Sequence, residues 1–180
     1  LKKLAFLVTV FLCVLLLSAL ILSCGETQYT GKIYENEGFG YSCRYPADWE
    51  LHGDAAGNLV LFAGPMDAEN VFRININIVI DELVNYPGIS LDDYTEISDI
   101  QFQESLDDYE RLALNDTNIS GTTAKLITYS FAIDTLEIKG TQAFFIRDNI
   151  AYIITYSATP DSYDEYYPEF ELVYASFKFD

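Results

Sequence analysis

Val71-Phe72-Arg73-Ile74-Asn75-Ile76-Asn77-Ile78-Val79-Ile80 is the stretch around which the rest of the chain can be placed. Phe72, Ile74, Ile76, Ile78 and Ile80 alternate with Arg73, Asn75, Asn77 and Val79, and a period of two puts five large apolar side chains on one face of a strand. Such a face needs a covering layer. Asn58 to Phe62 reads as the preceding strand, across Ala63-Gly64-Pro65, which reads as a turn. Further on, Leu126 to Phe131, Gln142 to Ile146 and Ile150 to Tyr156 are rich in β-branched and aromatic residues. Asp134-Thr135 and Asp148-Asn149 separate them and suit tight hairpins. Val173 to Phe179 reads as a closing strand and Leu112 to Asn115 as a weaker one.

Two segments depart from this alternation. Ser90-Leu91-Asp92-Asp93 offers an N-cap with acids in the first turn, and Leu91, Tyr94, Ile97, Ile100 and Gln101 follow at helical spacing, which predicts a helix over 91–105. Pro160-Asp161-Ser162 opens a second helix, with Tyr163, Tyr166, Tyr167, Phe170 and Val173 toward a core and Asp161, Asp164, Glu165 and Glu169 toward water. The expected fold is α+β, a twisted, mainly antiparallel sheet flanked by helices and preceded by an N-terminal signal helix.

That signal lies in the first 24 residues. Lys2 and Lys3 precede Leu4 to Leu22, which holds no charged residue, and Ile21-Leu22-Ser23-Cys24 then gives way to polar sequence. The tetrapeptide resembles the prokaryotic lipobox, which implies cleavage before Cys24 and diacylation of its thiol. Nineteen apolar residues would also rise about 28 Å as a helix, so an uncleaved transmembrane anchor is the competing reading. The expected organisation is a signal peptide over 1–23, a lipidated polar tether over 24–37 and a domain over 38–180. The lipid on Cys24 would hold the domain on the extracytoplasmic face of a membrane or cell envelope.

Loss of residues 1–23 removes two lysines and no acid, leaving 8 Lys and Arg against 28 Asp and Glu, a formal charge of −20. No basic patch is available to displace counterions from phosphates, so nucleic acid is excluded as a partner, as are anionic lipid headgroups. Solubility accounts for the charge, and loose binding of a divalent cation such as calcium is the alternative. With Cys24 lipidated, Cys43 has no disulfide partner and reads as a buried thiol on the strand face of Tyr41 and Tyr45.

Gly38-Phe39-Gly40-Tyr41-Ser42-Cys43-Arg44-Tyr45-Pro46-Ala47-Asp48-Trp49 resembles the opening of the PsbP domain family, in which a strand ends in an aromatic residue and a proline with a tryptophan three residues on. Ile119-Ser120-Gly121-Thr122-Thr123-Ala124 is similar to the family's middle. Asn149 to Ala158, a helix and Ala175-Ser176-Phe177-Lys178 are similar to its close. The resemblance covers residues 37 to 180 and implies a PsbP-like fold without enzymatic activity. PsbP is an extrinsic subunit of the photosynthetic oxygen-evolving complex that helps to retain calcium and chloride. Members of similar fold occur as lipoproteins in prokaryotes that do no photosynthesis. This chain lacks the basic surface expected of a subunit docking on an acidic photosystem, and no ion-binding residue carries over.

Catalytic patterns are sparse. His52 is the one histidine, so multi-histidine metal sites are excluded and a Ser-His-Asp triad would depend on it alone. No G-x-S-x-G elbow, phosphate loop, CxxC pair or EF-hand spacing occurs. Asp92-Asp93 and Asp107-Asp108 are the acid pairs available for carboxylate chemistry. Asn115 and Asn118 head two candidate N-glycosylation sequons. The expectation is a membrane-anchored, non-enzymatic binding or accessory subunit with an envelope protein as partner. The alternatives are a calcium-binding photosystem accessory factor and an acid-dependent hydrolase.

Overall fold

The computed structural model describes residues 30–53 and 56–180. The expected signal segment, its helix and Cys24 lie outside the described residues. The alternating stretch forms the strand β5 (Arg73–Glu82), an interior strand of a seven-stranded antiparallel sheet. The sheet order is β3 (Glu50–Gly53), β4 (Leu59–Met66), β5, β9 (Ile150–Ala158), β8 (Leu136–Arg147), β7 (Thr122–Ile133) and β6 (Asp107–Ile119). A second, three-stranded sheet runs β1 (Lys32–Asn36), β2 (Tyr41–Tyr45) and β10 (Lys178–Phe179). Two helices, α1 (Leu91–Ser105) and α2 (Pro160–Ala175), complete the described residues.

The period of two in β5 does what it predicts. Ile74, Ile76, Ile78 and Ile80 are buried, and with Phe62, Ile154 and Tyr156 they meet Tyr163, Phe170 and Val173 of α2 and Tyr41 and Cys43 of the small sheet. Burying each such side chain contributes roughly 1.5–3 kcal/mol, so this face is the main source of stability. On the other face Ile127, Tyr129, Phe144 and Ile153 form a smaller core against Leu91, Tyr94 and Phe102 of α1. The hairpin expectations hold: Asp134 has φ +55°, and Asp148 and Asn149 have φ +53° and +63°, the left-handed geometry that tight turns require.

Five local expectations are corrected. Ala63-Gly64-Pro65 is not a turn: β4 passes through it with a register slip between Ala63 and Met66, and the chain reverses at Asp67–Asn70 instead. Gly64 is there because Trp49 lies against it, and a Cβ would come within 2.7 Å of the indole Cζ2. Val173 to Phe179 is not one strand, since α2 continues to Ala175 and only Lys178–Phe179 pairs with β2. There the i, i+3 spacing of Phe170 and Val173 outweighs β propensity. The weak strand at Leu112–Asn115 is part of the 13-residue β6. Lys32–Asn36, expected in the tether, is β1, held by backbone pairing with Tyr41–Tyr45 rather than by apolar periodicity. Phe72 precedes β5 and is only partly buried.

Candidate functional site

The reversal at Asp67–Asn70, the start of β8 and the head of α2 enclose a cleft of about 360 Å³. Asp67, Glu69, Glu137 and Asp161 line it together with Thr159 and Ser162, and no lysine or arginine does. Asp67 is the fixed member. Its Oδ1 accepts the Val71 and Phe72 amides at 2.8 and 3.3 Å, so the carboxylate closes its own turn. Burial pushes the Asp67 carboxyl up, but those amides and the Thr159 hydroxyl outweigh it and hold the group below the usual carboxylate range. Thr159 is the N-cap residue of α2 with Pro160 at its first position, so the cleft's acids surround the positive end of a helix. The arrangement favours accepting hydrogen bonds or holding positive charge, and it supplies no nucleophile paired with a base.

The residues singled out from sequence are not brought together. His52 is exposed on the edge strand β3, 3.4 Å from Glu50, and does not line the cleft. Asp92 binds Lys125 at 2.8 Å, while Asp93 completes the Ser90 cap of α1, its amide donating to Ser90 Oγ at 3.0 Å and its carboxylate accepting the Ser90 hydroxyl at 2.7 Å. Asp107 starts β6, and Asp108 sits at a register slip with φ +51°. Both acid pairs thus have structural surroundings. Asn115 is exposed on β6, and Asn118 Oδ1 accepts the Gly121 amide at 2.9 Å, closing the β6–β7 turn. Burial pushes the Cys43 thiol up to about 12, which leaves it a neutral core side chain. Cys24 lies outside the described residues. Among those residues no group of three or more His, Cys, Asp or Glu side chains is arranged to hold a metal ion.

Two acids escaped the sequence reading. Asp67 sits in Asp67-Ala68-Glu69-Asn70, whose composition is itself a turn signal. Asp99 is buried under α1, where it accepts the Tyr109 hydroxyl, the Arg111 guanidinium at 2.9 Å and the Gln103 amide at 3.1 Å. The carboxylate ties α1 to β6. Two of its three partners, Tyr109 and Arg111, come from beyond its own helix, which the pattern of α1 alone could not reveal.

An antiparallel sheet with a helix packed on each face defines the class: a layered, β-rich domain with two helices. The chain belongs to the PsbP-like protein family, whose model matches residues 23–179. Cyanobacterial PsbP from Synechocystis shares the fold at 17% identity and a TM-score of 0.63, over 89% of this chain and 99% of that one. LpqN of Mycobacterium tuberculosis, described as involved in cell envelope biogenesis, is 11% identical with a TM-score of 0.59, over 86% of each chain. The Ran-binding protein Mog1p of Saccharomyces cerevisiae is 10% identical with a TM-score of 0.58, over 84% of this chain and 96% of that one. None of the curated proteins matches the sequence. No helix of the described residues is long and apolar enough to cross a membrane.

Proposed function

We propose that this protein is an extracytoplasmic lipoprotein, anchored through Cys24, whose PsbP-like domain is a non-enzymatic binding or accessory subunit of an envelope complex. One observation carries the binding role: the buried acids, Asp67 and Asp99, are taken up by backbone amides and by neighbouring side chains, and His52 stands apart from both. A general acid or base needs a reacting group within reach, and these carboxylates are committed to holding turns and elements. Relatives in fold include a protein described as Ran-binding and one described as acting in envelope biogenesis, uses that suit a scaffold presenting surfaces. The anchor is read from Lys2, Lys3, the apolar run and Ile21-Leu22-Ser23-Cys24.

Chemical crosslinking in native membranes tests the subunit role. The expected result is a reproducible heteromeric crosslink to one envelope protein, with no hydrolysis of ester, phosphoester or glycoside substrates by the purified chain. Turnover abolished by Asp67→Asn or Glu137→Gln would replace this reading with the hydrolase.

A further inference from the structure

The seven-stranded sheet ends on two unlike edges. β3 closes one with 4 residues, whereas β6 closes the other with 13. No described strand pairs with the outer side of β6. Register slips at Asp107/Glu110 and Arg111/Ala113 disturb its first half, after which Ala113 to Ile119 runs without a break against Thr128 to Thr122. Seven residues span about 24 Å of strand, with alternate N–H and C=O groups left on the outer side. Ala113–Ile119 lacks the proline and lysine that commonly protect such edges, and Asp116 is its one charged residue. Leu114 within it is 44% exposed, and Leu112 just before it is 48% exposed.

We infer that Ala113–Ile119 of β6 is a docking edge that accepts an extended, lysine- or arginine-rich segment of a partner protein as an eighth strand of the sheet. This rests on the binding-subunit reading and specifies the surface used and the partner's chemistry.

Charge selects the occupant. Asp116 lies within the docking edge and Asp107, Asp108 and Glu110 flank it on the slipped half of β6, whose one cation, Arg111, is bound to Asp99 at 2.9 Å. Lys125 behind the strand is shared between Asp116 and Asp92 at 2.7 and 2.8 Å. A cation on an incoming strand therefore meets Asp116 within the edge and the flanking acids beyond Ala113, while its apolar residues meet Leu114. A second copy of this chain fits poorly. Antiparallel pairing centred on Asp116 sets that residue against itself, and the register slips before Ala113 limit how far a second β6 can extend the ladder. A formal charge of −18 on each chain adds repulsion at longer range.

Hydrogen exchange on the full chain in detergent micelles tests the edge, with a nine-residue peptide of alternating lysine and valine as probe. The expected result is exchange slowed within 113–119, weakening as salt is raised. Leu114→Lys and, separately, Asn115→Lys should each reduce peptide affinity by roughly tenfold, with the thermal midpoint unchanged. Protection elsewhere or nowhere, equal binding of a glutamate–valine peptide, or dimerisation of the chain through β6 would each overturn the inference. The two readings fail separately: a native-membrane crosslink that maps away from β6 removes the edge alone, whereas no heteromeric crosslink removes the subunit role.

Discussion

Asp67 and Glu169 are carboxyls whose surroundings drive them in opposite directions. Burial raises Asp67, but the Val71 and Phe72 amides and the Thr159 hydroxyl outweigh it and hold it low. Burial and the nearby Asp48 carboxylate both raise Glu169. A depressed carboxyl adds stability above its unfolded pKa and loses it as pH falls through its folded value; a raised one is a burden above its folded value, relieved on protonation. Asp67→Asn is therefore expected to lower the thermal midpoint at pH 7, with the difference from wild type shrinking as pH drops through the carboxylate range. Glu169→Gln should leave the midpoint unchanged or higher at pH 7, again converging with wild type in acid. Thermal unfolding followed across pH checks both signs, and a loss of stability at pH 7 on Glu169→Gln would refute the reading of that residue. Which carboxyl bears which sign was not legible in sequence, because the deciding partners are backbone amides brought round by a turn and a side chain from another element.

α1 shows how far a helical pattern can be read. Ser90 caps it and Asp92 and Asp93 occupy its first turn, as the sequence predicts. Its inward face is a different matter. Thr95, Ser98 and Asp99 are buried toward the sheet, with Ile97 and Ile100 44% and 47% exposed. The apolar spacing pointed to Ile97 and Ile100, but Asp99 has partners on β6, and the stacking of Phe102 on Tyr129 at 5.3 Å fixes the helix's rotation. Ile97→Ala and Ile100→Ala are each expected within about 0.5 kcal/mol of wild type, as for exposed sites. Phe102→Ala should cost roughly 2–4 kcal/mol. Denaturant titration separates the cases, and a cost above about 2 kcal/mol for Ile97→Ala would mean that α1 sits with the other face inward. β5 and α2 were legible for the contrary reason: their apolar residues outnumber any polar competitor on the buried face, so periodicity alone sets the orientation.

At the level of the whole molecule, the sheet divides labour between its faces and its edge. The α2 face carries the large aromatic and isoleucine core, with Tyr156 donating to the Tyr163 carbonyl at 2.8 Å and stacking on Phe170 at 5.9 Å. The α1 face is smaller, and no described strand pairs with the outer side of β6. Excess acid with few cations keeps such a domain soluble and selects against copies of itself. The order of aromatic, proline and tryptophan near residue 45, the strand at Asn149–Ala158 and the α2 helix after it made the family legible. The cleft at Asp67 was not, since its four acids come from three separate stretches of chain. Intact-mass measurement of the membrane-purified protein, with Cys24→Ala beside it, decides whether a lipid on Cys24 holds the proposed lipoprotein at a membrane surface. The expected result is a mature chain that begins at Cys24 and carries a diacylglyceryl mass, absent together with membrane retention in Cys24→Ala. An unmodified Cys24 on a chain still carrying Leu1 to Ser23, or full membrane retention of Cys24→Ala, would contradict it.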